Sequence, residues 1–273
     1  MTPRSRTAAA LLASVVGLSL AACGSSSTPA ASSSSATSGA QTSQSASGTL
    51  TVFAAASLKK TFTQLGTDFE AAHPGTKVSF NFGGSSDLVA QLTQGAPGDV
   101  FASADEKNMT KAVDGGLVTD TPTPFASNTL TIVTAPGNPK KVTDLKNLAT
   151  QSAAGTKVVV CAAPVPCGAA TLTVEKAAGA DIKPVSEEQS VTDVLGKVTS
   201  GQADAGLVYV TDAKGAGDKV AAVDFPESKD AVNIYPISAL KDAKDPATAK
   251  AFVDFVVGPE GTKVLAEAGF AAP

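Results

Sequence analysis

From residue 49 onward, short runs of β-branched and apolar residues alternate with stretches in which apolar positions recur every three or four residues. The first run, TLTVFAA at 49–55, reads as a strand, and Leu58, Phe62, Leu65 and Phe69 then share one face of a helix. Ser57 stands where the N-cap of that helix is expected. The cycle repeats with a strand at 77–81, a Gly-Gly-Ser-Ser-Asp turn at 83–87, a helix at 88–92, a strand at 99–102 and a helix at 105–113. A second set opens with a strand at 128–134, followed by KVVVCA at 157–162, which is apolar on both faces like a parallel strand covered on two sides. A helix then runs to about residue 178, Ser190 opens another, and AGLVY at 205–209 is a further buried strand. The last strand is expected at 233–239, with helices at 246–256 and 259–267 that each carry proline in the first turn. Alternation of this kind predicts an α/β fold with mostly parallel sheets.

Residues 1–48 read differently. A short basic segment holding Arg4 and Arg6 precedes an apolar, small-residue run, which is the pattern of an export signal over 1–22. The run is shorter than the ~20 apolar residues a membrane-spanning helix needs. Leu20-Ala21-Ala22-Cys23-Gly24 resembles the lipobox of bacterial lipoproteins, in which the cysteine is lipidated and becomes the new N-terminus. From Gly24 to Gly48 every residue is Gly, Ser, Thr, Pro, Ala or Gln. Such a stretch buries too little surface to offset its ordering entropy, so 23–48 is expected to be a lipidated cysteine followed by a flexible tether.

Charge narrows the function classes. The 273 residues carry 21 Lys+Arg against 25 Asp+Glu, and both arginines fall in the leader. The exported chain would keep 19 lysines, no arginine and a balance of −6. That excludes a basic nucleic-acid footprint. Of three cysteines, Cys161 and Cys167 remain as an even pair in an oxidising compartment, so a disulfide is expected. A zinc site there lacks further ligands, because the single histidine, His73, lies in a distant His-Pro-Gly turn.

The chemistry-bearing feature is a set of strand-to-helix turns: Ser57, Ser85 with Ser86, Cys167 with Gly168, and Ser190 with Val191. Ligands of open α/β sheets bind outside the carboxyl ends of strands, where helix N-termini present free N–H groups and partial positive charge. An anion is the natural guest. Each serine taken singly reads better as a cap of its own helix than as a ligand donor. The set gains weight from small residues at Ala54-Ala55-Ala56 and Gly83-Gly84, which let backbone approach a ligand, and from Tyr209 at the mouth end of its strand. A competing reading takes Ser57-Leu58-Lys59-Lys60 as the S-x-x-K motif of acylating serine enzymes. The companion S-D-N and K-T-G motifs are absent, and His73 is poorly placed as the base of a serine triad.

The segments AAAS (54–57), GGSSDL (83–88), GAPGDVFASAD (95–105), VPCGAAT (165–171) and GLVYVTDA (206–213) together resemble the molybdate-binding proteins of ABC importers, from about residue 49 to the C-terminus. The resemblance implies a type II periplasmic-binding-protein fold: two lobes, 49–127 plus 233–273 and 128–232, with the ligand cleft between them. It implies that Ser57 and Ser85 donate hydroxyl and backbone hydrogen bonds, Cys167 and Val191 backbone N–H groups, and Tyr209 its phenol. Molybdenum would enter only as the bound oxyanion molybdate, with tungstate as an alternative ligand, and with no cofactor and no catalysis. The family often has a small non-thiol residue where Cys167 stands, so the disulfide would constrain a ligand loop. The implied partners are the oxyanion, an ATP-driven membrane permease and, through Cys23, the outer face of the cell membrane, with the protein itself a monomer. Sulfate or another small oxyanion remains the rival ligand. The missing arginine speaks against an amino-acid site, and a monoprotonated phosphate would want an acceptor.

Overall fold

The computed structural model describes residues 48–273. The expected export signal at 1–22, Cys23 and the tether up to residue 47 lie outside the described residues.

Two five-stranded sheets organise the chain. The first is built from β1 (Gly48–Ala55), β2 (Thr76–Gly83), β3 (Val100–Ala102) and β4 (Thr123–Asn128), joined by β10 (Asn233–Ala239) from near the C-terminus, in the order β2-β1-β3-β10-β4. Helices α1 (Lys59–Ala72), α2 (Ser85–Thr93) and α3 (Glu106–Asp114) connect its strands. The second sheet uses β5 (Leu130–Thr134), β6 (Val158–Cys161), β7 (Ser186–Glu188), β8 (Ala205–Tyr209) and β9 (Ala221–Val223), in the order β7-β6-β8-β5-β9. Its connections carry α4 (Leu145–Ala153), α5 (Pro166–Ala178), α6 (Val191–Thr199) and α7 (Val210–Ala216). Helices α8 (Pro246–Val257) and α9 (Pro259–Ala268) follow β10, and α8, α9 and α1 pack together.

Both sheets share one plan. In the first, only β10 runs against its neighbours β3 and β4; in the second, only β5 runs against β8 and β9. The remaining pairs are parallel, so each sheet is mostly parallel in strand direction. These two reversed strands are also where the chain changes sheet. It leaves the first sheet after Asn128, enters the second at Leu130, and returns at Asn233, which pairs with Asn128. The two crossings therefore lie side by side.

Several boundaries depart from the sequence pattern. The apolar run expected as one strand at 128–134 is split at Thr129, because β4 ends in the first sheet and β5 begins in the second. Strand β4 was hidden by Pro122 and Pro124; it lies at a sheet edge, where proline's missing N–H is tolerated. Helix α2 starts at Ser85, earlier than the expected 88. Ser57 does not cap α1: a 3-10 turn at Ala56–Leu58 precedes that helix, and Leu58 occupies its N-cap position without a side-chain bond. Aspartates do cap α3, α4 and α8, where Asp105, Asp144 and Asp245 accept from N–H groups of the first turn.

The cores follow the same division. Phe62 packs against Phe80, Phe125 and Phe252 beneath the first sheet, at centroid distances of 6.3, 5.8 and 6.2 Å. The second core is almost wholly aliphatic, built on Ile132, Leu145, Val159, Val194 and Leu207. Each buries enough apolar surface to hold its own set of loops in place.

Candidate functional site

Five turns, at the ends of strands and the starts of helices, line one small cavity. Ala55, Ala56 and Ser57 come from the turn before α1, and Gly83, Gly84 and Ser85 from the start of α2. Val165, Pro166 and Cys167 come from the start of α5, Val191 from α6, and Tyr209 from the end of β8; Ala104 completes the wall. The five residues singled out from the sequence, Ser57, Ser85, Cys167, Val191 and Tyr209, are thus brought together. The space they enclose is small and closely walled by main chain and short side chains, which suits a compact ion. None of the lining residues is ionisable apart from the tyrosine.

Local structure aims donors into this space. The first N–H groups of a helix have no acceptor within it. Ser85 and Val191 are the first residues of α2 and α6, and Cys167 is the first residue of α5 with an N–H, because Pro166 precedes it. The positive ends of these helices face the same cavity. The Ser85 hydroxyl is buried and accepts from the Ala104 N–H at 2.9 Å, which leaves its own hydrogen to donate. Ser57 Oγ lies 3.0 Å from the Tyr235 hydroxyl. Ser190, beside Val191, is the one serine of the set that caps its helix, accepting from the Asp193 N–H at 3.3 Å.

Tyr209 is 1% exposed, and its hydroxyl is the single buried side-chain polar atom among the described residues that lacks a hydrogen-bond partner. Burial pushes its pKa well above the ordinary tyrosine value, helped by Tyr235, Asp105 and Asp212 nearby, so it is held as a donor. The Tyr235 ring, centred 6.0 Å away, influences that titration without meeting hydrogen-bond geometry. Below Tyr209, the buried Asp212 carboxyl accepts from the Tyr209 N–H at 3.1 Å, and burial raises its pKa to about 7.

Cys161 and Cys167 are joined by a disulfide, with Cα atoms 5.6 Å apart, so the end of β6 is tied to the start of α5. Next to it, a side chain on Gly168 would place a β carbon 2.0 Å from the Ala162 carbonyl oxygen. That crowding fixes how closely the helix start sits on the strand end. Among the described residues, no group of three or more His, Cys, Asp and Glu is placed to hold a metal ion.

Residues 50–271 match the family model of bacterial extracellular solute-binding proteins. The chain belongs to that family. Among relatives of this solute-binding protein is the molybdate-binding protein ModA of Mycobacterium tuberculosis (strain H37Rv), 52% identical over 222 residues that cover 81% of this chain and 84% of the relative. ModA of Escherichia coli is 33% identical over 228 residues, 81% of this chain and 88% of the relative. The solved structure of the Azotobacter vinelandii periplasmic molybdate-binding protein superposes with a TM-score of 0.70 at 24% identity, covering 82% of this chain and 99% of that one, which supports the fold. Structural neighbours of this kind are type II periplasmic binding proteins, the architecture expected from the motifs.

The serine-enzyme motif finds no support in the solute-binding protein. Lys60 is exposed and makes no ion pair or hydrogen bond through its ammonium, and Ser57 is engaged by Tyr235 instead. His73 sits at the far end of α1, stacked on Phe69 with 4.0 Å between ring centroids. Two residues that shape the site were not singled out. Tyr235 reads as an inward residue of its strand, and nothing local reveals a partner 178 positions away. Asp212 sits three residues after Tyr209, a spacing that fits a helix cap, yet its burial depends on packing from elsewhere in the fold.

Proposed function

We propose that this chain captures molybdate, and tungstate with it, outside the cytoplasm for an ATP-driven importer. The observation that carries the reading is a cavity of neutral donors: helix starts and two hydroxyls surround a buried phenol whose O–H lacks a partner. Ser57 and Ser85 would donate from one lobe, Cys167 and Val191 through backbone N–H from the other, and Tyr209 through its phenol. The lobes are taken as 49–127 with 233–273, and 128–232. Hydrogen bonds to a charged group contribute about 1.5 to 3 kcal/mol each. Four or five of them, after ordering losses, reach about −8 to −12 kcal/mol, which is micromolar to nanomolar affinity. No counter-cation is required.

A site made only of donors disfavours a protonated oxyanion, whose own O–H finds no acceptor. Size then separates the candidates, since the smaller sulfate tetrahedron cannot reach every donor at once. The names of the relatives at 52% and 33% identity favour molybdate over sulfate in the same direction. Export through 1–22, lipidation at Cys23 and a tether up to residue 48 would hold a monomeric receptor at the outer membrane face beside its permease. The family of extracellular solute-binding proteins supports a receptor role for this cavity.

Isothermal calorimetry with molybdate, tungstate, sulfate and phosphate tests the reading. Tight binding of the first two and weak binding of sulfate and phosphate is expected. A silent molybdate titration, or sulfate bound as tightly, rejects it.

A further inference from the structure

The two walls of the cavity touch at Gly84. Its backbone, at φ −65° and ψ 136°, is ordinary extended chain that any residue adopts, so glycine is not needed there for conformation. What requires it is the opposite wall. A β carbon on Gly84 would lie 2.1 Å from the Gln189 carbonyl oxygen, 3.3 Å from its carbonyl carbon and 3.2 Å from Val165 Cγ1. Gly84 belongs to the loop between β2 and α2 of the first sheet, whereas Gln189 and Val165 precede the α6 and α5 starts of the second. Gly83, its neighbour, behaves differently: a β carbon there would meet only Leu88 of its own lobe, at 3.3 Å.

We propose that Gly84 is the stop of lobe closure, a specificity-determining position whose missing side chain lets the walls meet backbone to backbone and so sets the width of the anion cavity. Real β carbons do not approach other heavy atoms within 3.0 Å, so an alanine must push the Gln189 carbonyl away by about an ångström. Both walls carry donors immediately beside this contact, Ser85 on one side and Val191 on the other. A gap of that size stretches hydrogen bonds that span a single ion past the usual N–H···O limit of about 3.2 Å. On this proposal the two loops part when no ligand is bound, and the added methyl then meets nothing. The side chain therefore acts on closure alone.

The proposal rests on the oxyanion reading above, and wild-type and Gly84→Ala full-length chains are compared so that the two separate. Molybdate is the probe. Expected for Gly84→Ala are a melting temperature without ligand within about 1 °C of wild type, a dissociation constant raised at least tenfold, mostly through faster dissociation, and a smaller ligand-induced decrease in radius of gyration by X-ray scattering. Gly84→Val should exaggerate both ligand-dependent effects in the same order. If wild type binds molybdate and Gly84→Ala matches it within twofold with the same compaction, the closure stop is wrong while the ligand reading stands. A ligand-free variant that melts several degrees lower would assign the glycine to local folding and also overturn the proposal. A wild type that ignores molybdate fails the functional reading itself, and the closure stop with it.

Discussion

The Ser57 hydroxyl is held 3.0 Å from the Tyr235 hydroxyl, and so joins the first turn of the cavity to the strand on which the chain returns from the second sheet. Burial drives the Tyr235 pKa upward, which keeps that phenol protonated and able to donate. Either hydroxyl can donate in this pair; a ligand that accepts from Ser57 fixes Tyr235 as the donor to Ser57. Tyr235→Phe should therefore weaken molybdate binding about 3- to 10-fold, the loss of one hydrogen bond that aims a donor. Ser57→Ala should cost more, about 10- to 100-fold, because the donor itself is gone. Calorimetry on the two variants decides; Tyr235→Phe at wild-type affinity would remove the positioning role.

Tyr209 leads to a pair of opposite signs. A buried polar group without a partner costs about 1 to 3 kcal/mol, and Tyr209 is the one such side chain among the described residues. Tyr209→Phe should leave the ligand-free protein as stable as wild type or more so, by thermal melting, while molybdate affinity falls at least tenfold. A variant that loses stability and keeps its affinity would show that the hydroxyl serves the fold.

How much of this was legible before folding depends on whether the cause is local. The helix starts at Ser85, Pro166 and Val191, and the apolar strand ending at Tyr209, are written in short stretches of chain, and the structure gathers all of them at one cavity. The role of Ser57 was misread locally, since its hydroxyl answers to Tyr235 and not to the first turn of α1. Strand β4 escaped because Pro124 argues against a strand until the edge of the sheet is known. The contact between Gly84 and Gln189 is of the same kind. Two glycines in a row suggest close approach, but only the fold says that the approaching group is a loop of the second sheet.

The disulfide should act on stability more than on recognition. In the chain-entropy model, a cross-link between residues six apart contributes about 2 kcal/mol. The paired substitution Cys161→Ser and Cys167→Ser should lower ligand-free stability by about that amount in urea denaturation. On the proposed donor set only the backbone N–H at 167 is used, and serine retains it, so molybdate affinity should fall only a few-fold. Abolished binding would mean that the α5 start depends on the covalent tie for its position.

Stability should also fall as pH rises toward neutrality, and Asp212 is the reason. Its carboxyl titrates at about 7 in the folded chain, against 3.8 when exposed, with burial as the main cause and the Tyr209 N–H as a smaller opposing one. A folded state that holds a proton more tightly than the unfolded state is favoured by that proton. The contribution is complete below about pH 4 and is lost as pH climbs through about 7. Over that window the slope reaches at most about 1.4 kcal/mol per pH unit from this one group. Asp212→Asn keeps a carbonyl oxygen to accept from the Tyr209 N–H but has no charge to bury. Urea unfolding at pH 5, 6, 7 and 8 should therefore show a flatter profile in the variant than in wild type. An undiminished slope in Asp212→Asn would assign the pH dependence to another group and leave the buried carboxyl without that role.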